Sequence, residues 1–284
     1  ITASQLGDGN WNAAADVVQA FDVIAPTDEI WAVTGSTTLA GLAVNVWGYN
    51  LSGAAVTKPG GPKLTATVGQ PVVLALHNDL AEATSLTIRG QNLPTDQVGA
   101  APGGVRLYTF TPTEPGTFIY EAGPLVNTQH QVAMGLYGTL VVNPDSGPAA
   151  NDALIVISEI DPALSNSATP ATFDMRNYAP KYTLINGAVY SSTASASLGE
   201  VAAGEDILLR YVNAGINYHS MSVLGADQQI VADDGHALAN PYMVVAQTVG
   251  PGQTTDAIVH ASDSAAAGTV LTVFDANLQL RNRN

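Results

Sequence analysis

Five histidines, four methionines and no cysteine set the metal chemistry open to this 284-residue chain. His130 and Met134 stand four residues apart, and an imidazole with a thioether in one loop can bind soft Cu(I) weakly. The commoner use of such residues is a hydrogen-bonding loop histidine beside a core thioether, and that reading is preferred. His219, in His219-Ser220-Met221, is a third candidate ligand. His77 closes a strand-like run, while His236 and His260 follow a turn and a strand, where surface or hydrogen-bonded histidines are expected. Asp227, Asp233 and Asp234 offer hard oxygen ligands to Ca2+. Yet Asp233-Asp234-Gly235 is first a turn signal, and the spacing is not that of an EF-hand loop. The missing cysteine removes disulfides, thiolate metal sites and thiol nucleophiles. No Gly-x-x-x-x-Gly-Lys phosphate loop, Gly-x-Ser-x-Gly elbow or His-Glu-x-x-His pair occurs.

The elements that would position these residues are β-strands. Short β-branched runs recur between Gly, Pro, Asn and Asp, at 64–68, 72–76, 117–120 and 138–142. Many short strands at such spacing indicate sandwiches or barrels. The turn-rich run Asn143-Pro144-Asp145-Ser146-Gly147-Pro148-Ala149-Ala150 follows an apolar strand and reads as a linker. Beyond it the pattern repeats. Gly69-Gln70-Pro71-Val72-Val73-Leu74 with its sequel His77-Asn78 matches Gly204-Glu205-Asp206-Ile207-Leu208-Leu209 with Val212-Asn213. Two copies of one domain type are expected. Trp11, Ala14, Ala15, Val18 and Phe21 have helical spacing, so a short helix is one reading of the N-terminal segment, and an edge strand over 22–25 is another.

Composition narrows the partners. Hydrophobic residues make up 46% and charged residues 12%, a globular balance. A net charge of −15 repels phosphate backbones and anionic lipid, which argues against nucleic acid as a partner. No apolar run reaches the ~20 residues needed to span a bilayer. Ile1 in place of Met is read as the trace of a removed leader, and Asn50-Leu51-Ser52 is a sequon compatible with export.

The order of segments from about residue 45 to 280 resembles the multicopper oxidase family, including its two-domain and nitrite-reductase-like members. In the first half the matching stretches are Pro59-Gly60-Gly61-Pro62, His77-Asn78-Asp79-Leu80, Thr84 to Gly90, Pro115-Gly116-Thr117-Phe118-Ile119-Tyr120-Glu121 and Gly135-Leu136-Tyr137-Gly138. In the second they are Ile185-Asn186-Gly187, Tyr211-Val212-Asn213-Ala214-Gly215, His219-Ser220-Met221, Asp233-Asp234-Gly235 and Val249-Gly250-Pro251-Gly252-Gln253. The resemblance implies an all-β fold of two cupredoxin-like Greek-key sandwiches. Residues 1–28 would be an N-terminal segment (helix or donated strand), 29–143 the first domain, 144–151 the linker and 152–284 the second domain, with its last strand in question.

The same resemblance implies copper, and there the sequence departs from the pattern. The family's first His-x-His falls on Thr87-Ile88-Arg89, and its next His and Cys fall on Glu121 and Ala122. His130 is displaced by one from a further ligand position, which falls on Gln131, and Met134 lies near the axial position. The second-domain motif keeps His219 but has Ser222 and Leu224 at its other two places. Arg89 carries a permanent cation where a metal would sit, and two readings of it stay open: an ion pair with Glu121 across the former site, or two separate surface charges. No cofactor is therefore expected, with copper held as the alternative. The expected function is a non-catalytic, secreted structural or self-assembling subunit. It would associate with its own copies through strand or surface contacts, with residues 17–24 as a candidate donor strand. The alternative is a copper-binding protein or divergent oxidoreductase using His130, Met134 and His219. A third reading, a glycan-binding module, would use Trp31, Trp47, Tyr49 and Tyr108 as a stacking platform.

Overall fold

A computed structural model describes residues 2–5 and 14–18 as backbone, and 25–126, 129–189 and 197–277 in full. β1 (Thr2–Gln5) and β2 (Ala14–Val18) form an antiparallel hairpin, Thr2 opposite Val18. The first half continues with β3 (Asp28–Leu39), β4 (Leu42–Asn50), β5 (Lys63–Thr67), β6 (Val72–Asn78), β7 (Leu86–Ile88), β8 (Val105–Phe110), β9 (Gly116–Ala122), helix α1 (Gln129–Met134) and β10 (Tyr137–Asn143). The second half holds β11 (Asp152–Ile160), the short helix α2 (Pro162–Ser165), β12 (Tyr182–Ile185), β13 (Asp206–Asn213), β14 (His219–Leu224) and β15 (Gln228–Asp233). It closes with β16 (His236–Val244), β17 (Ala246–Val249), β18 (Thr254–His260) and β19 (Thr272–Asp275).

In the first half, sheets of order β4-β3-β6-β8 and β5-β10-β9-β7 face each other. Alternation sends Ile30, Ala32, Tyr49, Leu74, Leu76, Phe118, Tyr120 and Leu140 into one core between them. In the second half, β12-β11-β13-β18-β15-β16 and β17-β14-β19 enclose Ile155, Leu209, Tyr211, Met221, Ile230 and Val259. A third cluster joins the halves: Val33, Val44 and Val46 pack on Ile160, Tyr182 and Leu184.

The repeat read from the sequence has a physical basis. Gly69 and Gly204 carry φ of +75° and +80°, a conformation that side chains rarely adopt, and each turns the chain into a central strand. Those strands, β6 and β13, pair in parallel with β3 and β11 and antiparallel with β8 and β18. Asn78 and Asn213, both fully buried at the strand ends, do the same work. The Asn78 carboxamide donates to Glu82 O and Ala100 O and accepts from Leu80 N. The Asn213 carboxamide donates to Asn217 O and Val249 O and accepts from Gly215 N. Each closes the loop that follows its strand.

The N-terminal helix does not form where it is described. Residues 14–18 are strand, because a short isolated helix is marginal while the hairpin partner satisfies this backbone and Val17-Val18 favour extended geometry. The rest of the span 11–21 lies outside the described residues. Of the candidate donor strand, residues 17 and 18 pair within their own chain, and 19–24 likewise lie outside the described residues.

Candidate functional site

Two-residue periodicity aims the first candidate cluster. On β7 and β9, Leu86 faces Ala122, Thr87 faces Glu121 and Ile88 faces Tyr120. Leu86, Ile88, Tyr120 and Ala122 fill the core, so Thr87, Arg89 and Glu121 share the opposite face. Of the two readings open from the sequence, the ion pair is the one found: Arg89 and Glu121 meet there. Nε and Nη2 of Arg89 both donate to Oε1 of Glu121, at 2.8 and 2.7 Å. The Glu121 side chain is only 10% exposed, against 51% for Arg89. Arg89 Nη1 also reaches Gly252 O in the second half at 3.5 Å.

A second cluster lies where Ala122 leaves β9. Gln131, buried on α1, accepts from Thr84 Oγ1 at 2.9 Å and donates to the Glu82 carboxylate and to Ala83 O. His130 Nε2 meets the same Glu82 Oε1 at 2.6 Å, and its ring stands edge-on to Trp47 with centroids 5.6 Å apart. Met134 is buried. Neither Thr84 nor Glu82 is a candidate site residue from the sequence, since nothing local marks such a role: they reach Gln131 and His130 across 47 and 48 residues.

In the second half His219 is completely buried on β14. Its Nδ1 meets Asp275 Oδ2 at 2.8 Å and its Nε2 meets Glu159 Oε1 at 3.0 Å. Glu159 also accepts from the backbone of Ile216 and Asn217. Burial alone would lower the imidazole pKa, but hydrogen bonds and charge from Asp275 and Glu159 outweigh it and push the value up to about 9. Burial raises the Asp275 carboxyl, yet His219 and the amides of Asn277 and Ser220 hold it below the usual range. Ser222 and Leu224 lie on the other face of β14 from His219, whose neighbours Met221 and Val223 point into the core. Ser222 Oγ donates to Val245 O, and Leu224 is 66% exposed.

The remaining histidines follow one rule. His77 pairs with Glu29, His236 with Glu114 and His260 with Asp206, so all five imidazoles in the chain engage a carboxylate. Asp233 and Asp234 form the β15–β16 turn, with positive φ at Asp234 and Gly235. Their oxygens accept from Thr255, Thr254 and Gln253. Tyr49 and Tyr108 are core residues, which rules out the four-residue stacking platform; Trp31 instead stacks on His77 at 4.1 Å.

Copper needs imidazole lone pairs or soft sulfur converging on one point. These residues do not fit it. Arg89 and Glu121 neutralise each other, His219 has both ring nitrogens committed as an imidazolium, and His130 is anchored to Glu82. Among the described residues no group of three or more His, Asp or Glu is arranged to hold an ion.

The halves are joined by a buried polar network beside these clusters. Arg210 donates to Asp152, Asp256 and Thr117 at 3.0, 3.2 and 2.9 Å. Thr117 on β9 also bonds Asp256 on β18 at 2.7 Å. Burial raises the Asp256 pKa, and the Arg210 charge opposes that rise.

Two family models described as multicopper oxidase match residues 34–147 and 159–275. Copper resistance protein A of Pseudomonas syringae pv. tomato is 23% identical over 81% of this chain and 48% of its own length. Multicopper oxidase MmcO of Mycobacterium tuberculosis is 36% identical, over 34% of this chain and 20% of its own. The chain thus matches half or less of both curated relatives. Among solved structures, the copper nitrite reductase from Nitrosomonas europaea superposes with a TM-score of 0.72 at 23% identity, covering 89% of each chain. That likeness establishes the pair of cupredoxin-type sandwiches.

Proposed function

We propose, from the premise that this chain belongs to the multicopper oxidase family, that it is a non-catalytic member serving as an exported structural or self-assembling subunit. One observation carries the reading. The Arg89–Glu121 ion pair occupies the face where the family pattern places paired imidazoles, and it ties strands together instead of presenting lone pairs. Thr87, Ala122, Ser222 and Leu224 add no ligand to it, so the family's scaffold remains as architecture. Export is supported by the low-charge, low-lysine composition and the sequon. Association is supported by apolar side chains left exposed at one end of the second half, Leu224, Met243 and Val245.

The competing reading is a copper-binding protein or divergent oxidoreductase using His130, Met134 and His219. The names of the relatives favour it. Elemental analysis of the purified chain after dialysis against Cu(II) and Cu(I), with light scattering on the same sample, separates the two. Sub-stoichiometric copper with oligomers or polymers is expected. One tightly held copper per chain, or a strict monomer at high concentration, overturns the proposal.

A further inference from the structure

The outer face of sheet β4-β3-β6-β8 is covered along one half and becomes progressively exposed along the other, from half-buried Trp31 and His77 to exposed Val105 and Leu107. Val33, Val44 and Val46 are buried there against the second half. The next row is Asn50, Trp31, His77 and Val105, opposite one another across the four strands. Their neighbours Tyr49, Ile30 and Leu76 point into the core, so alternation sends this row outward. Trp31 and His77 stack with ring planes 11° apart. Val105 and Leu107 follow on the same face, 54% and 55% exposed.

Asn50 closes the row on edge strand β4 and is the first residue of the sequon Asn50-Leu51-Ser52. Its carboxamide is held at the surface: Nδ2 donates to Ala54 O at 3.0 Å and Oδ1 accepts from Leu51 N at 2.7 Å. Leu51 and Ser52 are exposed.

We propose that Asn50 is an N-glycosylation site whose glycan lies over the Trp31–Leu107 face. This rests on the export reading, because the transferase acts on exported chains. In the transfer, Asn50 Nδ2 bonds to the anomeric carbon of a lipid-phosphate-linked oligosaccharide. The bond from that carbon to the phosphate oxygen breaks, the lipid phosphate leaves with its electron pair, and Nδ2 loses one proton. One N–H remains on Nδ2, enough to keep the bond to Ala54 O. The apolar C–H faces of pyranose rings then cover Val105 and Leu107, which this sheet leaves in water, and the still accessible part of the half-buried Trp31.

The test uses the chain recovered from its own producer, from the medium or cell surface and from the cytosol. Peptides containing Asn50 are read by mass spectrometry. Added hexose or N-acetylhexosamine mass is expected at Asn50 and is lost in Ser52→Ala. That variant also shows stronger acrylamide quenching of tryptophan fluorescence, an increase that disappears when Trp31→Phe is added. Bare Asn50 on chain found outside the cell overturns the proposal and leaves export standing. Bare Asn50 on chain confined to the cytosol overturns both. A glycan at Asn50 with unchanged quenching in Ser52→Ala overturns its placement on this face.

Discussion

His219 and Glu159, 60 residues apart, meet inside the second half with Nε2 and Oε1 3.0 Å apart. Asp275 closes on the other ring nitrogen at 2.8 Å, so one imidazolium ties β11, β14 and β19 together. A histidine with two anionic partners is a structural cation, and its proton is worth stability.

The first prediction is a pH dependence. The folded pKa of His219, about 9, lies above its unfolded value. Its contribution is therefore complete below the unfolded pKa of about 6.5 and lost as pH rises through the folded one, on the order of 3 kcal/mol. Asp275 has the opposite sign: its pKa is lowered, so its contribution holds above the unfolded value and fades as pH falls toward the folded one. Urea unfolding at pH 6 and at pH 9.5 reads the difference. His219→Gln should be less stable at pH 6 by about 3–5 kcal/mol, because two carboxylates lose their counter-charge. Its decline between pH 6 and 9.5 should be much shallower, and an unchanged decline would assign the dependence to other groups.

Arg89→Ala should destabilise the first half by about 1–3 kcal/mol, below the cost for a fully buried pair because Arg89 is half in solvent. Arg89→Ala with Glu121→Gln should recover part of that loss, since no uncompensated carboxylate remains near the core. A double-mutant cycle in urea measures the coupling, and a value near zero would show the pair to be ornamental to folding.

Asn78→Ala and Asn213→Ala should cost similar amounts, about 2–4 kcal/mol each, because each removes three hydrogen bonds to backbone groups in a loop of the same design. Amide hydrogen exchange should localise the damage to the loops after β6 and β13 respectively. Damage spread evenly over both halves would contradict the local account.

Gly116→Ala should loosen the halves from each other. A Cβ at Gly116 would stand 2.3 Å from Gly235 O, with backbone on both sides and no flexible side chain to give way. Parting them strains the Thr117–Asp256 and Arg210–Thr117 bonds on the adjoining residue. Calorimetry should show the unfolding transition broaden or split, at a cost of about 1–3 kcal/mol. A sharp single transition at the original temperature would place the coupling elsewhere.

Much of the fold was legible because its signals are local. β-branched runs between turn residues read as strands, and the Gly-strand-Asn pattern around Gly69 and Gly204 read as a repeat. The Arg89–Glu121 pairing was legible too, since a period of two places both on one face of adjacent strands. The carboxylates that hold His130 and His219 were not. Glu82, Glu159 and Asp275 are three of 24 acidic residues, and nothing near them in the chain selects them. Tyr49 and Tyr108 were likewise open to a binding role until the packing of two sheets enclosed them.

By itself the sequence determined the strand alternation, the doubled domain plan and the absence of any cysteine thiolate. Those follow from residue type and short spacing. The tertiary structure decided what the remaining polar groups do: His219 as a clamped imidazolium, Gln131 and His130 sharing Glu82, and Arg210 bridging the halves. Such roles depend on which distant carboxylate a fold brings within 3 Å, and on the burial that makes a charge seek its partner.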